Sequence, residues 1–258
     1  MMSRLTGKGV WTWQLRNTEG GPGTSDAARG AAVASQAKAA RLAYVTVKVS
    51  DGTDSYQAGS LLRAVVNPLR EAGIASWAWG YSYGRSPATA LREGILLGQR
   101  AAGLGVAGVI LDVEGEYEAG GGADWAKSAC RGVRLTFGGP LAFSSFWKPS
   151  VHADFPWHTF CALTDLVMPQ VYPFKRDAGL TAQQCFAEFA PYLREYPALQ
   201  LVPTGAIAAD ECDRNPAKVT HFCEEVDAAR LGGANFWDWQ NSVESAWEAM
   251  ARWDPIVG

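Results

Sequence analysis

The sequence predicts an α/β protein, a single (β/α)8 barrel of the TIM type spanning residues 1-258, with an irregular fifth unit. Three observations carry that prediction. Short runs rich in β-branched and aromatic residues alternate with longer alanine-rich stretches, and the alternation occurs eight times. Strand and helix in alternation with short loops make a parallel sheet, and eight units close it where six would leave an open doubly wound sheet. No linker, low-complexity tract or helical repeat divides the 258 residues, which are 48% hydrophobic and 19% charged and long enough to bury a large core.

The first strand is expected over Val10–Gln14, and the first helix over 26–41, where Asp26 follows Thr24-Ser25. In Tyr44–Val49 the valines alternate with Thr46 and Lys48, which turns the valines to the helices and Lys48 to the barrel mouth. Helix 57–71 follows, with Gly73 as its C-cap. Ala75–Tyr81 sets Trp77, Trp79 and Tyr81 on one parity, shared by Tyr83, and Ser86-Pro87 opens helix 87–102, which Gly103 would close. Val106–Glu114 begins with six apolar residues, as a buried strand does, and precedes helix 123–134. Leu141–Ser144 and the short helix 157–164 form the irregular fifth unit, because the stretch from Pro149 to Pro156 reads as loop. Leu166–Tyr172 puts Met168, Gln170 and Tyr172 on one side, and Thr181 before Ala-Gln-Gln starts helix 181–195. Leu199–Thr204 with helix 216–230 and Ala234–Trp239 with helix 243–252 complete the ring.

In such barrels the chemistry sits where strands end and the following loops begin. The fourth strand ends in Asp112-Val113-Glu114. Side chains alternate with period 2, so both carboxyls point the same way, with Cα atoms about 6.5–7 Å apart. One such acid can raise the pKa of the other and keep it protonated near neutrality, as a general acid requires. Ion pairing with Lys48 or Arg85 is the competing reading of the pair. Eleven tryptophans supply flat faces that match the C–H faces of pyranose rings. Trp11, Trp13, Trp79, Trp237 and Trp239 stand at expected strand ends as ligand contacts, while Trp247 and Trp253 on the last helix read as core.

Other classes are disfavoured. A net charge of -3 argues against nucleic acid or an anionic membrane surface as partner. The start of the chain lacks the apolar core of a signal peptide and no run is long enough to span a bilayer, so synthesis in the cytoplasm and a monomer are expected. Five scattered cysteines read as reduced thiols, against a pairing of Cys212 with Cys223. The histidines His152, His158 and His221 lack metal-ligand spacing, and no cofactor or metal is expected; His152 reads as a solvated loop residue. Gly20-Gly21-Pro22-Gly23 and Gly120-Gly121-Gly122 are not phosphate fingerprints and read as mobile loops over the mouth. A phosphate-sugar isomerase or aldolase ranks low, because the loop Asp238-Trp239-Gln240-Asn241 lacks glycine and is negative. Glu116-Tyr117-Glu118 places further negative charge beside the pair.

The segment Val109-Ile110-Leu111-Asp112-Val113-Glu114 resembles the fourth-strand motif of family 25 lysozymes and the end of the family 18 chitinase motif. Tyr44 to Gly52 is similar to the lysine-containing second strand of family 25. Met168-Pro169-Gln170-Val171-Tyr172 and Gly233-Ala234-Asn235-Phe236-Trp237-Asp238-Trp239 are similar to the sixth and closing strands of family 18. Two positions depart from the families. Family 25 has an aspartate on the first strand, where this chain has Trp11-Thr12-Trp13, and family 18 has one two residues before the pair, where this chain has Ile110.

The resemblance implies a glycoside hydrolase acting on β-1,4-linked N-acetylhexosamine polymers, retaining by substrate assistance. It implies Glu114 as general acid, Asp112 holding the N-acetyl group and Tyr172 bonding the acetamido oxygen. Gln170 and Asp238 would take neighbouring hydroxyls, Lys48 would bias the local charge, and Trp79, Tyr81, Trp237 and Trp239 would bind sugar. Peptidoglycan ranks first as substrate, in the manner of a phage-type lysin, and chitin second. The alternatives are a chitinase-like hydrolase and a barrel that binds carbohydrate without cutting it.

Overall fold

Among the described residues each barrel strand pairs with the next in sequence, and the last returns to the first. The computed structural model describes residues 5–19, 21, 23–172 and 181–256. Its barrel strands are β1 (Gly7–Thr12), β2 (Tyr44–Asp51), β3 (Ala75–Tyr81), β4 (Gly108–Asp112), β5 (Leu141–Phe146), β6 (Leu166–Gln170), β7 in two short pieces (Gln200–Leu201 and Thr204–Ala206) and β8 (Gly233–Trp237). All of these pairings are parallel, and β1 closes the ring by pairing with both β2 and β8. A short antiparallel arm, Asp54–Ser55, folds back on the end of β2. The helices are α1 (Asp26–Ala39), α2 (Gly59–Glu71), α3 (Pro87–Leu104), α4 (Gly122–Thr136), α5 (Trp157–Leu163), α6 (Ala182–Glu195), α7 (Pro216–Ala228) and α8 (Glu244–Arg252). This is the (β/α)8 TIM barrel that the sequence predicts.

Alternation divides the strand side chains between two cores. Val10, Val45, Val47, Val49, Val109, Leu111, Phe143 and Val167 face outward and join the buried faces of the helices. Trp11, Tyr44, Trp77, Trp79, Ile110, Ala142, Leu166, Met168 and Val202 fill the barrel interior. Rings of that size fit only where neighbours have no side chain. A Cβ on Gly9 would lie 2.1 Å from the Tyr44 ring, and one on Gly108 would lie 2.4 Å from Trp77.

Helix starts follow the sequence signals. Ser25 and Ser86 accept from the backbone of Ala28 and Thr89, and Thr181 with Gln184 forms a capping box. Gly73 takes the left-handed turn after α2, but α3 runs through Gly103 and is closed by Gly105 at φ +64°. The expected seventh strand is broken at Val202-Pro203, because proline brings no N–H to a ladder. The fifth unit is irregular as expected, with residues 147–156 as loop before the short α5.

The two glycine-rich loops differ. Buried Arg29 donates to the carbonyls of Thr18, Glu19 and Gly21, while Gly20 and Pro22 of the first loop lie outside the described residues. Gly120 and Gly121 of the second are exposed, but Gly122 begins α4 so close to the Tyr117 carbonyl that a Cβ would sit 1.9 Å from it, so the end of that run is a packed helix entry and not a free loop. All five cysteines are buried and unbridged, Cys212 and Cys223 among them. No helix of the described residues is long and apolar enough to cross a membrane.

Candidate active site

Asp112 is the last residue of β4 and shares the inward parity of Ile110. Val113 turns outward into the helix layer, and its N–H continues the ladder to the Ser144 carbonyl at 3.0 Å. Glu114, at φ −133° and ψ −144°, caps the short helical turn of residues 115–118, and its side chain reaches the inner side beside Asp112. The two acids are bridged from β6: Gln170 Nε2 donates to Asp112 Oδ1 at 3.2 Å and to Glu114 Oε1 at 2.9 Å.

Both acids line a cavity of about 310 Å³ at the barrel mouth. Trp11 and Trp79, nearly fully buried, form its floor with Trp237, at centroid separations of 5.2, 5.9 and 6.1 Å and steep angles. Two of these indoles are pinned by their N–H groups, Trp11 to Asn235 Oδ1 at 2.5 Å and Trp79 to the Thr12 carbonyl at 2.9 Å. Lys48, Tyr81, Ser144, Gln170 and Tyr172 complete the wall, and the more exposed Trp13 stands at the rim.

Burial, and next the negative charge of Glu114, hold the Asp112 carboxyl well above the usual carboxylate range; Lys48, Gln170 and Ser144 oppose the shift. That shift favours the protonated form of the deeper acid. Burial also raises the Tyr81 and Tyr172 hydroxyls, which stay neutral donors; Tyr81 spends its proton on Glu116 Oε2 at 2.8 Å. Neither basic competitor clamps the pair. Lys48 Nζ bonds Asp51 Oδ1 at 3.1 Å and lies 4.3 Å from the Tyr56 ring and 4.9 Å from that of Trp79. Arg85 lies over Tyr83 at 4.7 Å.

The structure thus brings Asp112, Glu114, Tyr172, Lys48, Trp79, Tyr81, Gln170 and Trp237 together around one space. It does not bring in Asp238 or Trp239. Asp238 is fully buried and its oxygens accept from Gln240 and Asn241. Burial, against those hydrogen bonds, raises its pKa to about 6. Trp239 packs in the helix layer 4.7 Å from Trp247, with its N–H on Glu19. Both residues lie past the end of β8 at Trp237, where these loop and helix-layer contacts set their direction.

Ser144 was missed, although it has the parity of the inward-facing Ala142 on the same strand. A second omission is the support behind Glu114. Buried Tyr117 meets Ser82 Oγ at 2.6 Å; Ser82 also donates to Glu93 Oε2 at 2.7 Å, which accepts from Gly84 N at 3.1 Å. His152 lies in the loop after β5 and is partly exposed, with partners that sequence did not suggest. Its ring stacks on Phe146 at 3.6 Å, and Nδ1 meets Glu118 at 2.5 Å. The acidic segment after the pair is therefore held by Tyr81 and His152. No group of three or more His, Cys, Asp or Glu among the described residues is placed to hold a metal ion.

No family model matches the chain, nor does any curated protein sequence. Solved structures do match in fold. A GH113 β-1,4-mannanase is 10% identical with a TM-score of 0.65, covering 95% of this chain and 96% of its own. A class V chitinase from Pseudomonas fluorescens Pf-5 is 12% identical with a TM-score of 0.65, covering 95% and 98%. A xylanase–α-amylase inhibitor protein, solved with trehalose, is 13% identical with a TM-score of 0.58, covering 95% of each chain. The fold is therefore one shared with glycoside hydrolases and with inhibitor proteins.

Proposed function

We propose that the chain is a glycoside hydrolase acting on β-1,4-linked N-acetylhexosamine chains, with chitin-type polymers ahead of peptidoglycan. One observation carries this reading: Asp112 and Glu114 enter an indole-floored cavity side by side, bridged by Gln170 and free of any basic clamp among the described residues. The order of substrates reverses the one expected from sequence. It follows the likeness to a class V chitinase and the similarity of the sixth and closing strands to family 18.

The upward shift of Asp112 favours a proton on that acid in the free cavity, and the reaction needs that one proton. A sugar whose acetamido N–H bonds Asp112 favours the ionised form of that acid, and the proton passes to Glu114. Glu114 then protonates the leaving glycosidic oxygen while the acetamido oxygen attacks the anomeric carbon, the substrate-assisted route. The neutral Tyr172 hydroxyl donates to that acetamido oxygen, and Glu114, now a carboxylate, takes a proton from the water that opens the intermediate. The anomeric configuration is retained.

The test is hydrolysis of chitin oligomers and of peptidoglycan, read by mass spectrometry of the products. The reducing-end sugar distinguishes chitinase, glucosaminidase and muramidase. Glu114→Gln is expected to remove turnover, a loss of at least about 100-fold, with folding intact; equal rates for variant and parent would reject the assignment.

A barrel that binds glycan without cutting it is the second reading. Its specific support is Ile110, fully buried in the barrel where family 18 carries an aspartate, together with the inhibitor protein among the structures of like fold. Binding of oligomers by the parent with no product after prolonged incubation would decide for it.

A further inference from the structure

Glu93, on α3 in the outer layer, is a buried acid that the mechanism above does not use. Burying a carboxyl costs free energy unless hydrogen bonds meet it. Here they do: Oε2 accepts from Ser82 Oγ at 2.7 Å and from Gly84 N at 3.1 Å, and the Tyr83 N–H adds a further bond. All three donors belong to the turn that follows β3. Gly84 brings that turn close to the segment after β4. It stands at φ +67°, and a Cβ there would lie 3.1 Å from the Tyr117 ring and 2.9 Å from that of Trp125.

From that turn the bonding runs on to the acid pair. With the Ser82 proton given to Glu93, the Tyr117 hydroxyl donates to Ser82 Oγ at 2.6 Å. The same two residues hold the main chain on either side of Val113. Ser82 N donates to the Asp112 carbonyl at 2.9 Å, and Tyr117 N donates to the Glu114 carbonyl at 3.0 Å. Each backbone bond fixes where one acid leaves the chain, and the hydroxyl bond ties the two together. Glu93 directs that bond, because its carboxyl sets which way Ser82 Oγ points. Tyr117 is seated in turn against Phe160 and Trp125, at ring separations of 5.4 and 6.2 Å.

We propose that Glu93 is a positioning residue for the acid pair: through Ser82 and Tyr117 it sets the spacing of the Asp112 and Glu114 carboxyls from outside the cavity they line. The inference rests on the glycoside-hydrolase reading and deepens it by one layer. An apolar residue of like size would fill the same space on α3 with no charge to bury. What the carboxyl adds is three directed bonds to a single turn, and that turn bonds the carbonyl of one acid and the hydroxyl of the residue that bonds the other. Reacting groups held a fraction of an ångström from their working positions lose rate, so a brace of this kind acts on the chemical step.

The experiment sets Glu93→Leu, Glu93→Gln and Tyr117→Phe beside the parent, with thermal unfolding to check that each folds. Two quantities are read: kcat and KM on a soluble N-acetylglucosamine oligomer, and the carboxyl 13C titration of Asp112, which needs no turnover. Glu93→Leu is expected to lower kcat roughly 10- to 100-fold with KM within about 3-fold of the parent. Its Asp112 titration should move downward, because a displaced Glu114 adds less negative charge beside that acid. Tyr117→Phe keeps the ring and loses the hydroxyl bond, so the same two changes are expected, with roughly 3- to 10-fold in kcat. Glu93→Gln keeps an oxygen for Ser82 and Gly84 and should bring both readings back toward the parent. An unmoved titration in folded Glu93→Leu and Tyr117→Phe would make Glu93 a packing residue and reject the proposal, while the hydrolase reading stands. A rise in KM with kcat unchanged would reject it too, since the effect would then lie in sugar binding. If Glu93→Leu does not fold, Tyr117→Phe decides by the same two readings. If the parent releases no product, the hydrolase reading fails, and the titration alone decides whether Glu93 sets the pair.

Discussion

Gln170 is the one side chain that hydrogen-bonds both acids of the pair among the described residues, and with Lys48 and Ser144 it opposes the upward shift of Asp112. Its amide donates to both carboxyls, and a donor favours the ionised form of the acid it meets. Gln170→Leu removes that donor, so Asp112 should hold its proton to higher pH. The alkaline limb of kcat/KM on a soluble oligomer is expected to move upward, and the rate at neutrality to fall roughly 10- to 100-fold as Glu114 loses its bridge. Carboxyl 13C titration of Asp112 reads the same upward shift without turnover, and an unmoved titration would show that Gln170 does not tune the pair. Parity along the strands made Gln170 legible: Met168 and Gln170 share a face, as do Trp79 with Tyr81 and Asp112 with Glu114. The same rule failed at Trp239, whose indole packs on Trp247 and bonds Glu19, and at Asp238, which is taken up by Gln240 and Asn241; past a strand end alternation directs a side chain only where no loop contact competes for it, as at Glu114 and Tyr172. Tyr117, Ser82 and Glu93 lay beyond it altogether. They meet between a loop, a strand end and a helix, and contacts of that kind leave no periodic trace in sequence.

At the scale of elements, α3 and α4 carry the strongest packing lesson, since each is tied to a strand that lines the cavity. Their backbones approach through glycine: a Cβ on Gly94 would lie 2.2 Å from the Ala129 carbonyl oxygen, and one on Gly132 would lie 2.4 Å from that of Leu91. Helix propensity alone favours alanine over glycine by about 1 kcal/mol. At Gly94 the obstacle is backbone, which cannot move aside, and overpacking of about 1–3 kcal/mol outweighs the propensity gain. Gly94→Ala is therefore expected to lower stability. Gly103 lies in the same helix, exposed, with nothing within 4 Å of its would-be Cβ. Gly103→Ala is expected to raise stability by about 0.5–1 kcal/mol. Urea unfolding of the two variants should move the midpoint in opposite directions; a shift of the same sign in both would refute the packing argument. Sequence gave no means of telling these glycines apart. It placed a helix end at Gly103 because glycine after a helical run reads as a cap, whereas the left-handed residue is Gly105. Caps that rest on a side chain, such as Ser86 before Pro87 and Thr181 with Gln184, were legible because the partner lies three residues away in the chain.

For the whole molecule, the two faces of each strand separate chemistry from scaffold, and pH should report on each separately. At and around the mouth, burial raises the carboxyls of Asp112, Glu93 and Asp238. A carboxyl with a folded pKa above its unfolded value binds its proton more tightly in the native state, so its contribution is full at low pH and lost as pH rises through the folded value. For Asp238 that window runs from 3.8 to about 6, and its burial as an anion at neutrality costs about 3 kcal/mol. In the outer layer, burial raises the thiols of Cys130, Cys161 and Cys185 to about 12, and raises those of Cys212 and Cys223 as well. Above the unfolded value of 9.0 the unfolded chain releases these protons and the native state keeps them, which destabilises the fold by about 1.4 kcal/mol per thiol at pH 10. Lys8, lowered to about 8 by burial, works the other way between 8 and 10.5, but one amine offsets less than half of five thiols. Reductant-protected urea unfolding should therefore show stability falling from pH 5 to 7, and falling again from pH 9 to 10. Asp238→Asn should reduce the first fall by the share of Asp238, leaving that of Asp112 and Glu93, and should leave the second fall in place. A stability maximum at pH 7–8 in the parent would mean that the buried acids are stabilised as anions, and with it the assignment of the proton to Asp112 would be wrong.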